Sequence, residues 1–202
     1  MNGRRSIALL VSSALLAASA PAQAHLVETG FGAFYDGLAH VVLTPADLLV
    51  VLAIALMAGQ RGVAPARRAL FVLPAAWLAG ALLGTRFASA PTPVITTLPF
   101  VAAGMLVLLD AKLRPAAVAV FAGAAGLLHG FANGATMTTG GASTLAVAGA
   151  VSAVFCLLAI VAAEVTRLQA GWTRVAVRVA GSWIAAAGLL MLGWLARPLL
   201  AT

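Results

Sequence analysis

The sequence predicts an all-α fold, a polytopic bundle of about six transmembrane helices that follows a cleavable signal peptide. Of its 202 residues, 63% are hydrophobic and only 8% are charged, and the mean hydropathy is +1.08. The apolar residues form repeated segments near the ~20 residues that cross a bilayer as helix. The Lys and Arg residues lie almost wholly between these segments. The net charge of +7 is therefore interpreted as an orientation signal, and no nucleic-acid partner is expected.

The first segment has the pattern of a secretory signal. Arg4 and Arg5 form a basic start, an apolar run covers 7–20, and Pro21 precedes the stretch Ala22-Gln23-Ala24. This A-x-A stretch is typical of a cleavage site. We predict a signal peptide over 1–24 and a single six-helix domain over 25–202. An uncleaved N-terminal anchor is the alternative.

The six predicted spans cover about 37–60, 69–86, 93–110, 115–133, 142–166 and 176–196. A signal peptide places the mature N-terminus outside, so the first, third and fifth loops lie inside. Those loops carry eight positive residues, whereas the outer side has only two, Arg86 and Arg197. The positive-inside rule gives the same orientation as the signal peptide. We predict a multi-pass protein of the bacterial inner membrane, with the lipid bilayer as its main partner.

Glycines four residues apart mark the expected helix contacts. Gly80 and Gly84 form one pair, and Gly126, Gly130 and Gly134 continue the same spacing on another segment. Small residues on one face let transmembrane helices approach closely. We therefore expect the second and fourth spans to have tightly packed faces.

Three ionisable residues inside apolar segments are the first candidates for a functional site: His40, Asp47 and His129. Such residues are costly in a membrane and mark functional positions. The predicted topology places all three in the outer half of the bundle. Asn133 lies four residues after His129, on the same helix face. Imidazole and carboxylate suit a divalent transition metal, so these four residues are the predicted metal ligands.

Structural roles for the same residues stay open. Thr44 and Pro45 suit a helix start, and Asp47 would then occupy the N3 position of a capping box. The stretch 37–43 would in that case be a separate short helix. His129 could simply hydrogen-bond a neighbouring helix, and Asn133 could be a cap or loop residue.

Other polar and aromatic residues receive structural interpretations. Thr96 and Thr97 fall in the outer part of the third span, so spans one, three and four are expected to share polar groups in the outer half of the bundle. Glu164 is expected to pair with Arg167 on the surface. The four tryptophans are expected to lie mostly near span ends or facing lipid, as interfacial anchors would: Trp77, Trp172, Trp183 and Trp194.

Two stretches resemble the HupE/UreJ family. The first comprises Phe31-Gly32-Ala33-Phe34-Tyr35-Asp36-Gly37-Leu38-Ala39-His40 and then Pro45-Ala46-Asp47-Leu48-Leu49; the second is Leu128-His129-Gly130-Phe131-Ala132-Asn133-Gly134. The resemblance extends over the signal peptide, the six spans and the glycine-rich helices. Members of this family are hydrogenase or urease accessory proteins, viewed as permeases for nickel or cobalt.

The chain departs from the family pattern at several positions. His40 lacks the Pro that follows it in the family, and it precedes Asp47 by seven residues instead of six. Leu48 and Asn133 stand where the family has histidines, and no acidic residue follows in 134–137. Only His40, Asp47 and His129 carry over.

The sequence therefore supports two functional hypotheses. The first is a permease for a small solute, a divalent metal ion such as nickel or cobalt. The second is a non-transporting accessory or scaffold protein for metalloenzyme maturation, with maturation proteins as partners. A membrane enzyme ranks third, and we predict no catalytic activity because no nucleophile is evident. No permanently bound cofactor is expected.

Overall fold

A computed structural model describes residues 28–87, 89–139, 144–168 and 171–200. Within those residues the chain is helical and contains no strand, which confirms the all-α prediction. The predicted signal peptide and the predicted mature terminus at His25 lie outside the described residues. The helices are α1 (Ala33–Leu43), α2 (Pro45–Gln60), α3 (Val63–Gly84), α4 (Pro93–Leu108), α5 (Pro115–Thr139), α6 (Thr144–Arg167) and α7 (Gly171–Leu200).

The first predicted span is two helices, because Thr44 and Pro45 interrupt it. Thr44 is extended (φ −88°, ψ 108°), and Pro45 is the first residue of α2. A proline disfavours helical geometry at the residue before it and fits the first turn of a new helix. The axes of α1 and α2 are bent by 73°. The open alternative, a separate short helix before Pro45, is therefore the arrangement that the structure adopts.

Within the described residues, four helices are long and apolar enough to cross a membrane: α3, α5, α6 and α7. The bent pair α1–α2 passes the same test as one broken span, which makes five. The remaining helix, α4, has 16 residues and is apolar but shorter than the ~20 residues of a typical span. The predicted count of six spans includes this short helix.

Helix α2 forms the centre of the bundle. It contacts all six other helices, and its apolar side chains are buried around most of its circumference. A helix that is hydrophobic on every side is expected to be enclosed by others. The residues in the first turn of α2 are therefore held inside the bundle.

Three outer helix pairs pack through glycines, and one of them, α3 with α5, confirms the close contact predicted for the second and fourth spans. Between α3 and α5, a Cβ on Gly130 would overlap the Trp77 carbonyl, and a Cβ on Gly80 would overlap that of Leu127. Glycines also bring α1 against α6 at Gly37 and α4 against α7. Backbones in such contact leave no room for a side chain, so these positions require glycine.

The ends of α2, α4 and α6 meet the beginning of α7 at one end of the bundle. Arg61, Asp110, Leu168 and Arg174 all line one cavity there. We call this the basic end, because it gathers the positive residues of the first, third and fifth predicted loops. Helices α3 and α7 begin earlier than predicted, so four arginines lie inside these helices rather than in loops: Arg67, Arg68, Arg174 and Arg178. Which side of a membrane the basic end faces stays a prediction.

Candidate functional site

Asp47 lies in the first turn of α2, at the opposite end of that helix from Arg61. Its side chain is 5% exposed. A buried carboxylate is stable only when its oxygens are hydrogen-bonded. Asp47 obtains its partners from α5, a helix 82 residues further along the chain.

Two side chains of α5 hold the carboxylate. His129 Nδ1 lies 2.8 Å from Asp47 Oδ1, and Asn133 Nδ2 donates to Asp47 Oδ2 at 2.8 Å. Asn133 Nδ2 also donates to the His129 carbonyl at 2.9 Å, which fixes the orientation of its amide. Because Asp47 Oδ1 accepts, Nδ1 of His129 carries the proton in the neutral imidazole.

His40 reaches the same carboxylate from the last turn of α1. Its Nε2 lies 3.9 Å from Asp47 Oδ2, beyond hydrogen-bond distance. Two donor atoms that each bind one ion at ~2.0–2.2 Å, as ligands of zinc do, lie up to ~4.3 Å apart. The 3.9 Å gap is therefore compatible with a cation shared by His40 and Asp47.

Among the described residues, no Lys or Arg forms an ion pair with the Asp47 carboxylate. Its only partners of that kind there are the two histidines, His40 and His129. The carboxylate and the two imidazoles lie inside an apolar bundle with no Lys or Arg ion pair beside them in the part of the chain that the structure describes. A low-dielectric surrounding makes an uncompensated charge unfavourable and strengthens its attraction for a cation. The cluster is thus electrostatically suited to a bound cation or a proton.

Two further polar atoms in the cluster are buried without partners: His129 Nε2 and Asn133 Oδ1. His129 has no exposed surface, and Asn133 is 4% exposed. Both atoms are acceptors when Nδ1 of the imidazole and Nδ2 of the amide donate. Metal-binding histidines commonly donate one ring N–H to a carboxylate and bind the ion through the other nitrogen. His129 has this hydrogen-bond arrangement.

Trp77 completes the wall of the site, and its predicted role as an interfacial anchor is wrong. The side chain is fully buried, and its ring centroid lies 5.6 Å from that of His129. Trp77 lies in the middle of α3, and that central position was the signal against an anchor. By contrast, Trp172, Trp183 and Trp194 are exposed, as anchors facing lipid would be.

The structure brings together all four predicted ligands, His40, Asp47, His129 and Asn133. Asp47 does not act only as a cap, because Thr44 forms no side-chain capping bond and both Asp47 oxygens have partners on α5. The interpretation of Asn133 as a cap or loop residue is also wrong, since it lies inside α5.

The threonines of the third span do not join the cluster through their hydroxyl groups. Thr96 and Thr97 both donate to the Pro93 carbonyl of their own helix. The expected contribution of that span to the polar site is not observed. Glu164 and Arg167 do form the predicted surface pair, at 3.6 Å.

A closed chelate is not formed. Among the described residues no group of three or more His, Cys, Asp and Glu side chains is placed to hold a metal ion. The donor set is a carboxylate, an imidazole 3.9 Å from it and two buried acceptors without partners. The chemistry of these donor atoms suits a cation, although the atoms are not arranged around a common metal position.

Comparison with protein families assigns this chain to a class of membrane-associated proteins linked to metalloenzymes. The family model described as HupE / UreJ protein matches residues 13–191, which is most of the chain. The protein belongs to the HupE/UreJ family, a family of nickel or cobalt transport and accessory proteins rather than enzymes. No curated protein and no solved structure matches the chain.

Proposed function

We propose that this protein is a permease of the bacterial inner membrane that moves a divalent transition metal ion, such as nickel or cobalt. The observation that carries the proposal is the buried Asp47 carboxylate, which faces the His40 imidazole at 3.9 Å and has no Lys or Arg partner in the described residues. A divalent cation would neutralise this charge. His40 and Asp47 are the proposed direct ligands. His129 and Asn133 hold the Asp47 carboxylate by hydrogen bonds and complete the proposed site, and the ion is cargo rather than a permanent cofactor.

The broken helix supports transport over static binding. His40 and Asp47 lie on opposite sides of the break at Thr44, on helices bent by 73°. Discontinuous helices at a buried ion site are a recurring feature of transporters, because a short segment can move while the bundle stays fixed. Movement of α1 would change the His40–Asp47 distance without unpacking α2.

An accessory role is the second candidate. It is favoured by the absence of a three-ligand group in the described residues and by Leu48 and Asn133 at positions where the family pattern has histidines. Such a protein would bind or deliver metal beside a maturation partner without moving ions across the membrane.

Metal accumulation separates the two candidates. Cells that lack their own nickel uptake are given this protein, and radiolabelled nickel or cobalt inside the cells is measured. A permease raises accumulation, and His40→Ala abolishes the increase while the protein stays in the membrane. Metal binding by the purified protein without any accumulation would reject the permease and favour the accessory role.

A further inference from the structure

The basic end contains a cavity of about 210 Å³ that the proposed metal function does not use. Arg61 and Arg174 are among its lining residues, and Asp110 is its only carboxylate. Arg61 ends α2, whereas Arg174 lies in the first helical turn of α7. This volume is several times the ~30 Å³ that one water molecule occupies in the liquid.

Positive charge in this cavity is only partly neutralised. Arg61 forms an ion pair through Nη2 with Asp110, and its side chain is 13% exposed. Arg174 has no ion pair with the described residues, which include every Asp and Glu of the chain. Burial lowers the pKa of Arg61, and the positive charge of Arg174 lowers it further. The cavity is thus lined by two guanidinium groups and one carboxylate, which is paired with Arg61 alone among the described residues.

Ordinary helix capping does not account for these two arginines. Helix α4 ends in a Schellman motif, in which Ala111 N–H donates to Leu106 and Asp110 N–H donates to Val107. Arg178 donates from Nε to the Leu108 carbonyl at 2.8 Å, as a structural arginine would. The Arg61 Nε–H, in contrast, is buried and has no hydrogen-bond partner.

The backbone also favours an anion at this place. Arg174, in the first turn of α7, lines the cavity, and the dipole of a helix start favours negative charge nearby. Asp110 adopts a left-handed conformation, with φ of 49°, in the Schellman turn, and its carboxylate pairs with Nη2 of Arg61. The Nε of Arg61 remains available for a second acceptor.

We propose that the cavity between Arg61 and Arg174 binds a phosphate group, either of an anionic phospholipid or of a soluble phosphate. Guanidinium groups bind phosphate oxygens by charge-assisted hydrogen bonds. Basic pockets between transmembrane helices are known to take lipid headgroups. The inference is independent of the metal function, because the cavity and the Asp47 cluster are at opposite ends of α2.

Thermal unfolding of the purified full chain in detergent tests the proposal. The probes are sodium phosphate against sodium chloride at equal ionic strength, and short-chain phosphatidylglycerol against short-chain phosphatidylcholine. Wild-type protein should gain stability from phosphatidylglycerol, since a ligand that binds only the folded state raises the unfolding midpoint. An equal gain from inorganic phosphate identifies a soluble source, and a gain from phosphatidylglycerol alone identifies a lipid headgroup.

Three variants make the test specific. Arg174→Gln should weaken binding of the active probe by about tenfold, the scale of one lost charge-assisted hydrogen bond. Arg68→Gln is the matched control, because Arg68 is exposed near the same end but does not line the cavity. Asp110→Asn should strengthen binding, since it removes the competing carboxylate. Equal responses of Arg174→Gln and Arg68→Gln, or no effect of either probe on wild type, would overturn the proposal.

Discussion

Asp47 Oδ1 lies 2.8 Å from His129 Nδ1, although the two residues are 82 positions apart in the chain. The contact joins the first turn of the central helix to an outer helix that glycines hold against α3. It converts two isolated polar residues into one buried hydrogen-bonded unit. The charge of that unit and its distance to His40 lead to the first two predictions.

Asp47→Asn should reduce metal binding and accumulation at least tenfold. Asn keeps an oxygen that can accept from His129 but removes the negative charge that attracts the cation. Radiolabelled metal uptake and equilibrium binding to purified protein check this. Asp36→Asn is the matched control, because Asp36 accepts hydrogen bonds from Thr29 outside the cluster. Wild-type binding by Asp47→Asn would defeat the metal-site proposal.

His40→Ala and His129→Ala should differ in stability while both lose metal binding. His129 is fully buried, and its loss leaves an Asp47 oxygen without a donor, at a cost of about 1–3 kcal/mol. His40 has no hydrogen bond to Asp47, and its loss should change stability little. Thermal unfolding and metal titration on the same samples separate the effects. A His40→Ala variant that binds metal normally would remove His40 from the ligand set.

Gly130→Ala should destabilise the bundle by about 1–3 kcal/mol, because its Cβ would overlap the backbone of Trp77 and force α3 from α5. Gly193→Ala is a close control: Gly193 also lies in a helix, but a Cβ there meets nothing within 4 Å. Fluorescence-detected size-exclusion chromatography after heating measures both. Similar melting of the two variants would show that the α3–α5 contact tolerates a methyl group.

Arg61 and Asp110 should show coupling of about 1 kcal/mol in a double-mutant cycle. Their ion pair joins the end of α2 to the turn after α4, and it is partly exposed. Arg61→Gln, Asp110→Asn and the double variant are compared by unfolding free energy. Additive effects would mean that the pair contributes no stability of its own.

Reporter fusions should place Gly62 and Arg114 in the cytoplasm and Gly140 outside. The expectation follows from the excess of positive residues in the first, third and fifth predicted loops. Paired alkaline phosphatase and fluorescent-protein fusions give opposite signals for each side. An external score at Arg114 would reverse the orientation proposed for the site.

The sequence by itself determined the helical class, the approximate helix positions and the identity of the polar residues. Apolar length and charge placement are local properties, and they predict helices because a backbone in lipid must satisfy its own hydrogen bonds. The glycine spacing likewise predicted a packed face at Gly130. The rarity of ionisable residues in apolar segments singled out Asp47 and His129 before their contact was known.

Only the tertiary structure decided how those residues are used. Pairing of Asp47 with His129 depends on which helices pack together, and no local pattern encodes a contact across 82 residues. The same packing buried Trp77, which composition alone had assigned to the membrane interface. It also gathered Arg61 and Arg174 around one cavity, although they lie on different helices. Propensity and hydropathy act over a few turns, whereas burial and charge pairing are set by the whole bundle.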